Sequence, residues 1–339
     1  MAGRTRAKAV SLEMIGQFTN YVEPRSPAEI AAVSERFNHA QPFKHILIEN
    51  FLTKEFSETL LAQFPQQDET YWKYCIEDDG KVGTNYSNGN PADFPPAYKE
   101  FDQLVRSKTF LAYVETITGI EGLEYDPDYF GGGIRKSRSN TFLPPHIDFN
   151  YHPKTLSHRR LNLLFYLNRQ WKREWGGNLQ LHRDPYVYSK GDSLVTSYEP
   201  LLSRCMIFET SEISWHAFDR LRLPEGVTRR AITIYYYTRT RPDQEKIKFH
   251  NTEYVEPHLP RHIQAGYALT DEDMHLLNEA ITRRDGRIRM LYEIRAQLDA
   301  KMAHVWKEYE YYRTLSKSLA LKGPFTALIY RIWSKLRRR

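Results

Sequence analysis

Between Tyr129 and Thr238 turn residues cut the sequence into short apolar segments, and this pattern limits the fold more than any other feature. Arg160–Leu167, Asn178–Leu181, Ser193–Thr196, Cys205–Glu209 and Ala231–Thr238 are too short for helices that must bury a long stripe. Ala231-Ile-Thr-Ile-Tyr-Tyr-Tyr alternates as a strand does when one face is buried. Gly131-Gly132-Gly133 breaks the chain at the start of the series. Several short strands at this spacing predict a barrel or a double-sheet jelly roll.

The flanks read as helix. Residues 1–26 form an irregular start punctuated by Pro24, with Pro27 just after it. Residues 27–64 carry apolar residues at helical spacing around a short strand beginning at His45, and Phe101 to Ile120 reads as one further helix. Residues 80–98, rich in Gly, Asn and Pro, read as loop; residues 241–268, with Pro242, Pro257 and Pro260, read as linker. From residue 269 to 321 a 3–4 spacing runs through Leu277, Ile281, Arg284, Ile288, Leu291, Arg295, Leu298, Met302, Val305, Tyr309 and Tyr312. That is a long helix with a coiled-coil seam, opened by Thr270 and Asp273 as a capping pair. Two readings of the seam stay open: packing back on the barrel, or a homodimer through 277–312. The fold class is therefore α+β: a jelly-roll core (double-stranded β-helix) over 27–240, with N-terminal flanking helices and a long C-terminal helical extension.

Composition narrows the function. With 41% hydrophobic and 14% aromatic residues the chain is not disordered as a whole. No apolar stretch approaches the ~20 residues of a membrane span, and no apolar leader follows MAGRTRAKAV. Two cysteines, Cys75 and Cys205, cannot frame a fold with disulfides or build a Cys-based zinc site, which fits a reducing, cytoplasmic setting. The net charge of +6 resides at one end. Six of the 48 basic residues (Lys322, Arg331, Lys335, Arg337, Arg338 and Arg339) lie in 322–339 without an acid, and the rest is balanced at 42 against 42. Such a distribution argues against a nucleic-acid surface. Pro324, Phe325, Leu328, Ile329, Ile332, Trp333 and Leu336 make 324–339 a basic amphipathic helix. It has two readings: an interfacial helix at the cytoplasmic face of an anionic membrane, or a face that docks on protein.

The chemistry lies in His146-Ile147-Asp148. Side chains two apart on a strand share a face, so this pair supplies two members of a 2-His-1-carboxylate iron site. The third must be a histidine that the fold returns, and His216 in Ser-Trp-His-Ala-Phe comes after several strands. A second pair, His182-Arg183-Asp184, has the same spacing, so the motif alone does not decide. Arg229 and Arg230 precede the strand Ala231–Thr238, and alternation lets only one of them face a pocket, where it would hold a carboxylate. The basic stretch His152–Arg160 reads as a lid for an anionic substrate or as a solvated loop, and 83–90 as a second lid. Trp175 and Trp215 read as packing residues.

In order, PPHID, RRLNLLFYLNRQW, WGGNLQL, RCMIFETSEISWHAF and EGVTRRAITIYYYT resemble the prolyl-hydroxylase-like group of 2-oxoglutarate/iron(II) dioxygenases. The resemblance covers about 129–240 and more weakly 42–52. It implies iron(II) on His146, Asp148 and His216, with His182 a decoy. It implies Arg229 and Tyr166 on the far carboxylate of 2-oxoglutarate, and Asn162 as a further pocket residue on the same strand face. The reaction implied consumes O2, converts 2-oxoglutarate to succinate and hydroxylates an unactivated C–H. The default substrate is a prolyl or other protein side chain. The strand before His146 lacks the tyrosine common in prolyl hydroxylases, which keeps a saccharide or lipid-linked glycan open as substrate. A catalytically silent barrel used for binding is the alternative of another class.

Overall fold

The computed structural model describes residues 18–66, 70–76, 82–187, 190–242, 245, 249–255 and 262–320. It divides into two units, one reaching Leu269 and one starting at Thr270.

The first unit holds two antiparallel sheets. The larger follows the order β1 (His45–Ile48), β10 (Cys205–Glu209), β7 (His158–Tyr166), β12 (Arg229–Thr238), β5 (Gly133–Ser137), β3 (Val82–Asn88) and β2 (Lys73–Ile76), with β4 (Glu124–Tyr125) also on β12. The smaller follows β13 (Glu253–Tyr254), β6 (Leu143–Ile147), β11 (His216–Phe218), β8 (Leu179–His182) and β9 (Leu194–Tyr198). Antiparallel sheets that face each other read alternately in and out along every strand. On β7, β10 and β12 one set of side chains (Leu163, Phe165, Ile207, Ile232, Ile234) joins the helices in the main core. The other set (Tyr166, Met206, Phe208, Ala231) meets Leu179 and Leu181 of the smaller sheet. This is the jelly-roll core with flanking helices.

The helices Pro27–His39, Lys54–Ala62, Pro96–Val105 and Lys108–Thr118 lie against the larger sheet and bury Phe37, Leu60, Phe101 and Phe110. The first begins with a reciprocal cap, Glu29 N–H to Ser26 Oγ at 3.3 Å and Ser26 N–H to Glu29 Oε2 at 2.7 Å.

Several local expectations change. The single helix over Phe101–Ile120 is two, because Ser107 Oγ donates to Leu104 O (2.7 Å) and accepts from Phe110 N–H (3.2 Å), closing one helix and starting the next. Within the loop expected over 80–98, residues 82–88, which take up most of the lid read at 83–90, form β3, which pairs with β5 from Asn85↔Ser137 to Asn88↔Ile134. Its Asn and Gly residues belong to a strand because tertiary pairing overrides their low propensity. Part of the irregular start is packed: Phe18 and Val22 are buried, and Val22 bridges to Leu52. Within 241–268, expected as linker, residues 253–254 add β13 to the edge of β6.

The second unit contains a helix over Asp271–Ala320. Thr270 and Asp273 cap it reciprocally, at 3.0 and 3.2 Å. Among the described residues no helix is long and apolar enough to cross a membrane. Residues 1–17 and the basic segment 322–339 lie outside the described residues.

Candidate metal and cosubstrate site

β6 ends at Ile147, and the pairing His216↔His146 sets both histidines side by side on the smaller sheet. Across that sheet the row continues to Leu181, an inner-face residue, so both imidazoles point inward. Asp148 follows β6 directly. One ligand atom from each of His146, Asp148 and His216 lies within 4.8 Å of the others. His146 Nε2 is 3.9 Å from Asp148 Oδ1, and His216 Nε2 is 3.6 Å from Asp148 Oδ2.

The tautomers follow from the backbone. His146 Nδ1 lies 2.9 Å from Pro144 O, and His216 Nδ1 lies 2.9 Å from Ser214 O. A carbonyl oxygen only accepts, so each Nδ1 carries the proton and each Nε2 presents a lone pair. Burial holds both imidazoles neutral, pushing His146 down to about 3 with His216 adding to the effect, and lowering His216 as well. Burial alone would raise the Asp148 carboxyl. Arg159 beside it, then the two histidines and a hydrogen bond from Asn162, hold it below the usual carboxylate range. Two neutral imidazoles and one carboxylate, oriented by outer hydrogen bonds, are the donor set that suits iron(II).

The other expected residues fall into place individually. Arg229 is buried on β12; its Nε donates to Gly177 O at 2.8 Å and its guanidinium lies 5.4 Å from the Tyr166 ring centre. Gly176 and Gly177 have φ of +64° and +70°, and a Cβ on Gly176 would sit 2.3 Å from Arg220 O. Only glycine makes this turn, which brings the Gly177 carbonyl to Arg229. No carboxylate among the described residues pairs with Arg229. The Tyr166 hydroxyl is buried with no well-formed hydrogen bond among the described residues, and burial pushes it up to about 12 against the pull of the neighbouring Arg229. A buried guanidinium beside a buried, unsatisfied hydroxyl fits an incoming carboxylate. Arg230 faces the other way, its guanidinium 4.8 Å from the Phe64 ring centre.

Asn162 faces the pocket and engages Asp148, donating from Nδ2 to Oδ2 at 2.7 Å. His182 is a separate buried group, with Nδ1 2.9 Å from Ser193 Oγ; Asp184 accepts from Tyr186 N–H. The stretch His152–Arg160 is not a free lid. His152 Nδ1 accepts from the Lys154 and Thr155 N–H groups, so its Nε2–H faces Asp126 Oδ1 at 3.3 Å. Asp126 also accepts from the Asp128 and Phe130 N–H groups, and Lys154 pairs with Asp128. This second cluster of Asp126, Asp128 and His152 is satisfied as a loop anchor. Trp175 and Trp215 are buried in apolar clusters.

Arg159 was missed by sequence reasoning. It is fully buried, lies 3.0 Å from Asp148 Oδ2, and donates to Asn162 Oδ1 at 2.7 and 2.9 Å. Its guanidinium sits 3.4 Å from the Tyr235 ring centre. Tyr254 was missed too; its ring is stacked on His146, 5.1 Å between centres at 26°.

Residues 133–237 match the model of the 2OG-Fe(II) oxygenase superfamily. The mouse protein named prolyl 3-hydroxylase OGFOD1 is 23% identical over 263 residues, which is 75% of this chain and 43% of that one. The chain thus spans less than half the length of that relative. Among solved structures, a Trichoplax adhaerens prolyl hydroxylase in complex with a peptide fragment of hypoxia inducible factor is 18% identical, with a TM-score of 0.44 over 62% of this chain and 89% of that one. A Pseudomonas putida prolyl-4-hydroxylase is 17% identical, with a TM-score of 0.42 over 62% of this chain and 99% of that one. Residues 133–237 are thus similar to the 2OG-Fe(II) oxygenase superfamily, and the chain is similar over 263 residues to a protein named as a prolyl hydroxylase.

Proposed function

We propose that this oxygenase, an enzyme that uses iron(II), 2-oxoglutarate and O2, hydroxylates a protein or peptide side chain, with prolyl the first choice. His146, Asp148 and His216 hold the iron; Arg229 and Tyr166 hold the far carboxylate of 2-oxoglutarate. One observation carries the reading: three ligand atoms converge within 4.8 Å in a barrel that also buries Arg229, which pairs with no acid among the described residues. Bound iron(II) and 2-oxoglutarate supply O2 activation coupled to decarboxylation, leaving succinate. The chain supplies order. The two Nδ1–H bonds fix the imidazoles, while Arg159 and Asn162 engage Oδ2 of Asp148 and leave Oδ1 for the metal. Arg229 selects a ligand with a second carboxylate and sets its register.

The test is succinate release over a panel of proline-containing peptides, sugar nucleotides and lipid-linked glycans. A peptide should stimulate turnover and gain one oxygen. Stimulation by a glycan alone would replace the substrate reading and leave the chemistry intact. Asp148→Ala should abolish iron retention and turnover, and Asp184→Ala should keep both; the reverse outcome would move the metal to His182.

We also propose that the helix Asp271–Ala320 pairs with a second copy. Its support is the row Ile281, Ile288, Leu291, Leu298, Met302, Val305 and Tyr312, all exposed at heptad spacing.

A further inference from the structure

The segment 249–255 lies beyond the part of the chain that matches the superfamily, yet it holds the strand that carries His146 and leads into Asp148. On one side β6 is paired with β11; on the other its neighbour is β13, in register Glu253↔Ile147 and Tyr254↔His146. The contacts run past the end of the strand. Val255 N–H donates to Pro145 O at 2.8 Å, Phe149 N–H to Thr252 Oγ1 at 3.3 Å, and His250 N–H to Asn150 Oδ1 at 3.1 Å. Phe249 stacks on Tyr151, with 6.0 Å between ring centres. His250 is tied in turn to Glu212, Nε2 to Oε1 at 2.8 Å, ahead of His216. The strap therefore brackets His146 and Asp148 from Pro145 to Tyr151.

Register makes Tyr254 special. Directly paired residues of adjacent strands point to the same face, so Tyr254 extends the inner row of His146 and His216. Its ring lies nearly parallel to the His146 imidazole at 5.1 Å, while His216 lies 4.1 Å away on the other side at 47°. The bond from Nδ1 to Pro144 O pins one atom of the imidazole but leaves the ring free to tilt about that bond. A flat ring against its face removes the tilt.

We infer that Tyr254 is a positioning residue for the metal site: its ring, presented by the strap 249–255, holds the His146 imidazole so that Nε2 stays aimed at the metal. The inference rests on the reading of His146, Asp148 and His216 as the metal ligands. Neither the aromatic face nor the backbone strap needs the phenol oxygen. Outer groups that orient metal-binding histidines are worth about 10–100-fold in metal affinity.

The experiment is titration of the metal-free full chain with Mn(II) and with Co(II). The Co(II) visible spectrum reports ligand geometry, and thermal unfolding of the metal-free protein reports folding. Wild type should bind one ion and His146→Ala should not; failure there sinks the ligand assignment itself. Given that, Tyr254→Ala should bind about tenfold more weakly or worse, with an altered Co(II) spectrum, and Tyr254→Phe should restore both. Thr252→Val, which cuts the tie to Phe149, should weaken binding in the same direction. Wild-type affinity and spectrum in Tyr254→Ala would overturn the inference. So would a Tyr254→Phe variant as weak as Tyr254→Ala, since the hydroxyl and not the ring would then be responsible. If Tyr254→Ala unfolds early, Tyr254→Leu, which keeps the apolar bulk without a flat face, takes its place under the same criteria.

Discussion

Arg229 and Arg230 are neighbours with opposite fates, and the pleat of β12 alone separates them. Alternation in Ala231–Thr238 allows one arginine to face the pocket, and the order of motifs chose Arg229. The structure buries its guanidinium near Tyr166 and sends that of Arg230 to Phe64. Removing one member of a buried charge pair costs about 2–5 kcal/mol. Arg229→Ala should therefore raise the 2-oxoglutarate concentration for half-maximal succinate release about 30-fold or more, and Arg230→Ala should leave it within a few-fold; a normal requirement in Arg229→Ala would exclude the role. Arg159 shows why the same rule missed a residue. Counting back by twos from Asn162 points Arg160 inward. The pairing of β7 with β12 slips between Tyr236↔Leu161 and Tyr237↔Arg159, and this bulge turns Arg159 in and Arg160 out to Glu209. A bulge leaves no mark in hydrophobic periodicity. His45 gives a prediction away from the site. Burial lowers it below its ordinary 6.5, and its Nδ1 donates to Phe43 O at 2.8 Å. The folded chain keeps it neutral where the unfolded chain protonates it, so its contribution is full above about pH 6.5 and is lost as the pH falls from there through the lowered folded value. Denaturant unfolding of metal-free wild type at about pH 7.5 and about pH 5.5 should show a drop, and His45→Gln a smaller one. His146 and His216 shift in the same sense, so some slope persists. Equal drops in the two proteins would show that His45 adds nothing.

At the scale of elements, legibility followed the strength of the local pattern. β7, β10 and β12 are long or wholly buried, and their apolar runs were visible. β3 and β13 were not. One is Val-Gly-Thr-Asn-Tyr-Ser-Asn and the other two residues long, and both exist because a neighbouring strand offers its edge. The triad was legible because the order of the motifs, not the spacing that His182 and Asp184 share, singled out His146 and Asp148. Tyr254 was not, since its role depends on a pairing between segments over a hundred residues apart. The divided helix is an intermediate case. The apolar spacing runs unbroken in sequence from Phe101 to Ile117, while the helix itself breaks at Ser107. Because Ser107 caps both helices, Ser107→Ala should cost about 1 kcal/mol and lower the melting temperature by about 2–4 °C. Ser107→Asp, which keeps the acceptor for Phe110 N–H, should recover most of the loss. Equal melting of the alanine variant and wild type would mean that packing alone sets the break.

For the molecule as a whole, the open question is what covers the helix Asp271–Ala320. The seam carries Arg284 and Arg295 between its apolar residues, and they decide the orientation of a pair. Side by side in parallel, each arginine would meet its own copy in the seam, where like charges repel in a poorly solvated place. In an antiparallel register with Leu298 beside Arg295 of the other copy, Arg284 falls opposite Tyr309, Leu291 opposite Met302, Ile288 opposite Val305 and Ile281 opposite Tyr312. The acidic start, Asp271, Glu272 and Asp273, then runs beside the basic end with Lys317. Arg295 keeps its bond to Asp299 at 3.0 Å within its own helix. Light scattering on the full chain should give a dimer, and a chain ending at residue 269 a monomer. Orientation is read by cysteine. Position 302 meets itself in a parallel pair, but lies about 16 Å along the axis from its own copy in the antiparallel one. Met302→Cys should therefore resist oxidative cross-linking, while Leu298→Cys, in the seam and only about 4.5 Å along the axis from its own copy, should cross-link readily. A monomeric full chain would remove the pairing, and efficient cross-linking at 302 would reverse its direction.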